Sequence, residues 1–190
     1  MVETKTEASL WGDRVHKALE LRLTDSTPLP EGMTQWESLV KQLEGIPGER
    51  HCEKRFAVDE AFQPADWDNC ASRGIVDLFI LSNSTAIVAD YKTGKRKPSD
   101  QLELYAAYVF AHYPEVNTVK TAFIWLKEKK IDRGEVARTD APRIWGDYLT
   151  KDRRLTNAYE KDSWPAKPSG LCRGWCPVTQ CQFHQPTRKL

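Results

Sequence analysis

Two apolar, β-branched runs dominate the middle of the chain. The first is Gly74-Ile75-Val76-Asp77-Leu78-Phe79-Ile80 and the second is Ala86-Ile87-Val88-Ala89-Asp90-Tyr91-Lys92-Thr93-Gly94-Lys95. Runs of this kind predict strands. The short polar break Ser82-Asn83-Ser84-Thr85 predicts a hairpin turn between them. Helical spacing appears on either side. Leu10, Val15, Ala18, Leu19 and Leu21 mark a first helix capped by Ser9, and Trp36, Leu39, Val40 and Leu43 mark a second over about 33–43. Between that helix and the hairpin, 51–61 alternates as an edge strand. After the hairpin, Gln101 to about His112 reads as a helix packed through Leu104, Ala107, Tyr108 and Ala111. Val119–Leu126 and Ile131–Ala137 read as a strand pair, and Pro142 to about Tyr159 as a last helix with an N1 proline. The order predicts an α/β chain with a mixed central sheet flanked by helices.

The hairpin carries charge where apolar residues are expected. Asp90 and Lys92 are two apart, so their side chains share one face of the strand, and Asp77 sits in the neighbouring strand. A buried carboxylate is costly unless it is paired or binds a metal. Two carboxylates held together repel, and a divalent cation relieves that repulsion; oxygen ligands suit Mg²⁺ or Mn²⁺. An ammonium beside such an ion stabilises negative charge developing on a phosphate. An ordinary ion pair at a strand end is the competing reading of Asp90 and Lys92 taken alone.

Composition narrows the picture. A chain of 190 residues predicts a single domain over 1–190, with a helical part at about 8–45, a core at about 51–160 and a cysteine-containing tail at about 165–190. With 28 basic and 27 acidic residues there is no global basic field, so any nucleic-acid contact must be a local patch. No apolar run is long enough for a membrane span, and the first residues lack the apolar core of a signal peptide. An odd count of five cysteines fits a reducing, cytoplasmic setting better than a disulfide scaffold.

Taken together, Gly-Ile-Val-Asp at 74–77, Asp-Tyr-Lys-Thr-Gly-Lys at 90–95 and Gln-Leu-Glu-Leu-Tyr at 101–105 resemble the PD-(D/E)XK nuclease superfamily, and within it the RecB-type branch. The resemblance implies a restriction-endonuclease-like core, with Asp77 and Asp90 as metal ligands, Lys92 as a catalytic residue, and Gln101 and Tyr105 as part of the site. It implies a further metal-site histidine on an early helix, here His16 in Gly12-Asp13-Arg14-Val15-His16, and a contribution from the Tyr91 carbonyl. Related nucleases often carry a glutamate on the strand before the hairpin, and Glu53, Asp59 and Glu60 are all candidates. Lys95, Arg96 and Lys97 follow the motif lysine and suit phosphate contacts.

Some members of the branch hold a [4Fe–4S] cluster with one early and three C-terminal cysteines. Cys172, Cys176 and Cys181 are similar to that C-terminal group. They depart from it in the three-residue gap between the first two and in lacking an early cysteine, since Cys52 and Cys70 fall too late. A Zn²⁺ site that adds His184 and a set of plain thiols remain open beside the cluster. The resemblance implies a Mg²⁺- or Mn²⁺-dependent deoxyribonuclease, foremost an exonuclease on single-stranded DNA or duplex ends. Such an enzyme would work in recombination, repair or phage DNA processing, with a recombination protein as a candidate partner and a bacterial or phage-infected cytoplasm as its setting. An endonuclease, and a silent nucleic-acid-binding protein of the same fold, are the alternatives.

Overall fold

The structure is a computed structural model that describes residues 6–185. The described residues fall into two compact units, the first ending at Asp147 and the second starting at Tyr148. In chain order the elements are α1 (Glu7–Thr24), α2 (Glu37–Glu44), β1 (Glu49–Val58), β2 (Ser72–Ser82), β3 (Thr85–Lys92), α3 (Gln101–His112), β4 (Thr118–Trp125), β5 (Lys130–Ala137) and α4 (Ala141–Glu160). The expected mixed sheet flanked by helices is present. Its five strands run β1-β2-β3-β4-β5, and only the β3–β4 pair is parallel. That pair needs a crossover, which α3 supplies.

Local differences from the sequence reading have simple causes. Helix α1 starts three residues earlier than expected, because Thr6 rather than Ser9 is the cap and accepts the Ser9 N–H. Its buried stripe is Val15, Leu19 and Leu23, whereas Leu10 is exposed. The second helix opens as a 3₁₀ turn over Thr34–Trp36 before α2 proper. The hairpin turn is tighter than its polar sequence suggests. Ser82 pairs with Thr85, and Asn83 takes the left-handed conformation that a two-residue turn requires.

One apolar cluster lies between α1, α2 and one side of the sheet. It holds Val15, Leu19, Val40 and Leu43 from the helices and Leu78, Ile80, Ala89, Tyr91 and Ile124 from the strands. Burying a side chain of this size contributes roughly 1.5–3 kcal/mol, so this layer fixes α1 on the sheet. On the other side lies α3, where Phe56 packs edge-on against His112 and Ser72 hydrogen-bonds Tyr108 at 2.6 Å. Gly74 allows the closest approach there, since a Cβ would stand 3.0 Å from both the Tyr105 and the Tyr108 ring.

The alternation of faces reverses partway along β1 and β2. In β2, Ser72 and Gly74 meet α3, but Leu78 and Ile80 join the cluster with α1 and α2. In β1, Phe56 meets α3, but Cys52 packs against the opposite cluster. All six positions are even-numbered, so each strand changes phase once. The change falls at Glu53, which has φ +50°, and at Asp77 across from it, where the pairing lapses between Cys52↔Leu78 and Lys54↔Val76. A non-glycine residue held in the left-handed region costs of order 1 kcal/mol and marks functional sites often enough to direct attention there.

A candidate metal-dependent active site at a strand fork

Strands β2 and β3 pair from Ser82↔Thr85 to Leu78↔Ala89 and then part. Beyond that point β2 stays with β1 as far as Ser72, and β3 stays with β4 as far as Lys92. The next position in register sets Asp77 opposite Asp90, at the mouth of the fork. Parting strands orphan backbone groups, and the Asp77 carboxylate meets one of them: its Oδ2 accepts the Tyr91 N–H at 2.7 Å. A side chain takes over where the backbone ladder stops.

Both helical layers reach this mouth. From α1, His16 Nε2 lies 2.9 Å from the Tyr91 carbonyl and Nδ1 lies 3.4 Å from Asp77 Oδ1. From α3, the Gln101 carbonyl accepts from Lys92 Nζ at 2.9 Å, and its amide donates to the Tyr105 hydroxyl at 2.7 Å. Lys92 Nζ also sits 2.7 Å from Asp90 Oδ2 and lies over the Phe123 ring. That carboxylate oxygen is fully buried and has no well-directed hydrogen bond, so the lysine contact is a close ion pair rather than an aligned bond.

Carboxylates crowded in a half-dry fork hold protons more tightly. Asp90 is pushed up to about 6, first by burial and then by Asp77, against the pull of Lys92. Burial, then Asp77, raises Glu53. His16 is raised chiefly by its bond to Asp77, against burial. Burial drives the Tyr105 hydroxyl up to about 12, so it stays protonated at neutral pH. The fork therefore carries more negative charge than it can easily keep, which is what a divalent cation relieves.

His16, Glu53 and Asp77 each offer one ligand atom, and these atoms lie within 4.8 Å of one another; among the described residues no other such trio of histidine, cysteine or carboxylate exists. The fit to a hard divalent ion is good: two carboxylates, one imidazole and a buried, poorly satisfied Asp90 oxygen next door. Glu53 is the residue that sequence reasoning could only leave as one of three. Its signal is the strand register, which spacing in the sequence does not contain. Asp90 stands outside the trio and is held by Lys92 instead. The Tyr91 carbonyl is engaged by His16, an arrangement that orients a metal-binding imidazole through its other nitrogen.

The basic loop divides. Arg96 forms a two-pronged ion pair with Asp132 of β5, which also accepts the Trp125 indole N–H. That guanidinium fastens the loop to β5, whereas Lys95 and Lys97 are exposed. In the second unit, Cys172, Cys176, Cys181 and His184 are all described, and the structure does not gather them into a ligand group. All five cysteines are unbridged, and no described residue of this unit is buried. Among the described residues no helix is long and apolar enough to cross a membrane.

Comparison with curated proteins gives no match. A solved structure described as "Crystal structure of SSO0001" is 14% identical, with 78% of each chain covered and a TM-score of 0.32, too low to support an argument. The family model for the PD-(D/E)XK nuclease superfamily matches residues 2–182. With a mixed sheet that opens beside Asp77, Asp90 and Lys92, and a family match along nearly its whole length, the chain belongs to the PD-(D/E)XK nuclease superfamily.

Proposed function

We propose that this protein is a divalent-metal-dependent deoxyribonuclease of the RecB-type branch that removes nucleotides from DNA ends during recombination, repair or phage DNA processing. The observation that carries the reading is the fork itself: Glu53, Asp77 and Asp90 on three adjacent strands, with His16 and Lys92 reaching in from either side. His16, Glu53 and Asp77 would hold Mg²⁺ or Mn²⁺, with Asp90 beside them. The ion would polarise a phosphate oxygen and supply hydroxide-like water at neutral pH.

The chain's own residues do the rest. Lys92 is held from two sides, by Asp90 and by the Gln101 carbonyl, so its ammonium is preorganised rather than free to swing. A fixed cation stabilises charge that grows on the phosphoryl oxygens without reorganising at the moment of reaction. Gln101 and Tyr105 are positioning residues: their bonds end on Lys92 and on each other. Lys95 and Lys97 are exposed beside the fork and suit the backbone of an incoming strand.

The test uses end-labelled single- and double-stranded DNA with Mn²⁺, beside EDTA and beside Lys92→Ala. Metal-dependent release of mononucleotides from one end supports the reading, and Lys92→Ala should lower the rate by about 10²- to 10³-fold or more. Cleavage of closed circular DNA would make the protein an endonuclease. Equal rates for wild type and Lys92→Ala would remove the catalytic assignment, and binding without hydrolysis would leave a silent fold.

A further inference from the structure

A cleft of about 260 Å³ opens one turn of α1 before His16, lined by Trp11, Gln35, Trp36, Thr93, Leu126, Lys127 and Lys129. We infer that this cleft is a subsite for one unpaired nucleobase of a single-stranded DNA end, stacked on Trp11, with the adjoining phosphates held by Lys127 and Lys129. The inference rests on the nuclease reading for its location and adds the substrate's form.

The cleft is mechanically joined to the fork. Thr93 follows Lys92 directly, and the Leu126 N–H donates to the Lys92 carbonyl at 3.0 Å, which pins the β4–β5 turn to the motif lysine. On α1, Gly12 stands one turn before His16, and a Cβ there would lie 3.5 Å from the Thr93 hydroxyl. A group seated in the cleft is therefore placed relative to both Lys92 and His16.

Its lining has two chemistries. Trp36 and Leu126 are buried and make an apolar floor. Trp11 of α1 is 38% exposed, and the Arg14 guanidinium lies 5.5 Å from its ring centroid. Lys127 and Lys129 are exposed at the rim. Glu128, between them, is turned to the Arg96 backbone N–H at 3.3 Å and does not cancel the pair outright. An exposed indole beside an apolar floor, with cations at the edge, is the arrangement by which proteins hold single strands: bases stack and the backbone is neutralised. The volume falls below the usual range for drug-sized ligands, roughly 300–1,000 Å³. It suits one ring system rather than a base pair, so a duplex would have to fray to use it.

The experiment measures binding of a short single-stranded oligonucleotide carrying one 2-aminopurine, in EDTA so that the strand stays whole. Moving the 2-aminopurine along the strand should find one position whose fluorescence changes on binding. Trp11→Ala should abolish that change and weaken binding about 5- to 150-fold, and Trp11→Phe should retain most of both. The double variant Lys127→Ala/Lys129→Ala, at two exposed positions, should flatten the log–log salt dependence by about 1.4, at roughly 0.7 per phosphate for single strands. Melting curves of each variant check the fold. Wild-type affinity and fluorescence in Trp11→Ala, or an unchanged salt slope in the lysine variant, would overturn the subsite. Mn²⁺-dependent hydrolysis with no effect of Trp11 sinks the subsite alone. A Trp11-dependent fluorescence change without hydrolysis sinks the nuclease reading alone.

Discussion

The two ends of the β2–β3 pair are built from one hairpin and solve opposite problems. At the turn, Leu81↔Ala86 and Ser82↔Thr85 keep the ladder closed, and in the next rung Ile80 is buried in the cluster with α1 and α2 while its partner Ile87 packs against it. At the other end the ladder stops after Leu78↔Ala89, and Asp77, Asp90 and Glu53 crowd the opening. At the closed end the two strands stay in register up to the two-residue turn. At the open end a carboxylate stands in for a backbone partner, and a residue at φ +50° accompanies the change of phase. The closed end holds the sheet together, and the open end spends some of that stability on charge.

That contrast can be broken in three ways, from the largest effect to the smallest. Ile80→Ala, at the closed end, should lower stability by about 2–5 kcal/mol in chemical denaturation, because it leaves a cavity in a fully buried layer. An effect below 1 kcal/mol would show that this end is not where the hairpin is anchored. At the open end, Mn²⁺ should stabilise the wild-type protein by about 2.7 kcal/mol at a concentration 100 times its dissociation constant. Glu53→Gln should lose most of that gain while the metal-free protein remains folded. A full Mn²⁺ response in Glu53→Gln would take Glu53 out of the ligand set.

The third way is pH. Asp90, Glu53 and His16 all hold protons more tightly in the folded state than in the open chain. For the two acids, stability is gained as pH falls toward and below the raised values, about 6 for Asp90. For His16, the contribution is complete below the ordinary imidazole value and fades as pH rises through the raised one. All three point the same way, because the folded state binds more protons than the unfolded. In EDTA the melting temperature should therefore be higher at pH 5.5 than at pH 7.5, by a few degrees at about 2–4 °C per kcal/mol for a chain of this size. Asp90→Asn should reduce the difference. A steeper pH response in Asp90→Asn than in wild type would mean that the crowding at the fork has been misread.

The basic loop shows how a reading by residue type misses partnership. Lys95, Arg96 and Lys97 look alike in sequence, yet Arg96 is bound to Asp132 thirty-six residues later. The C-terminal cysteines show a related limit. Cys172, Cys176, Cys181 and His184 have spacings that metal sites use, but the described fold does not converge them.

Sequence alone determined the hairpin, the helix and strand pair that follow it, and the placing of Asp90 and Lys92 on one face of a strand. These follow from local periodicity, in which neighbours along the chain fix neighbours in space. It also brought out the Gln101–Tyr105 pair, because four residues make one helical turn. Only the tertiary structure singled out Glu53 from Asp59 and Glu60 and placed His16 against Asp77. It alone joined the Trp11 cleft to Lys92 through the Leu126 backbone. Each of those depends on strand register or on helices meeting across a sheet. Such distances are set by how the whole core packs, and no stretch of sequence carries them by itself.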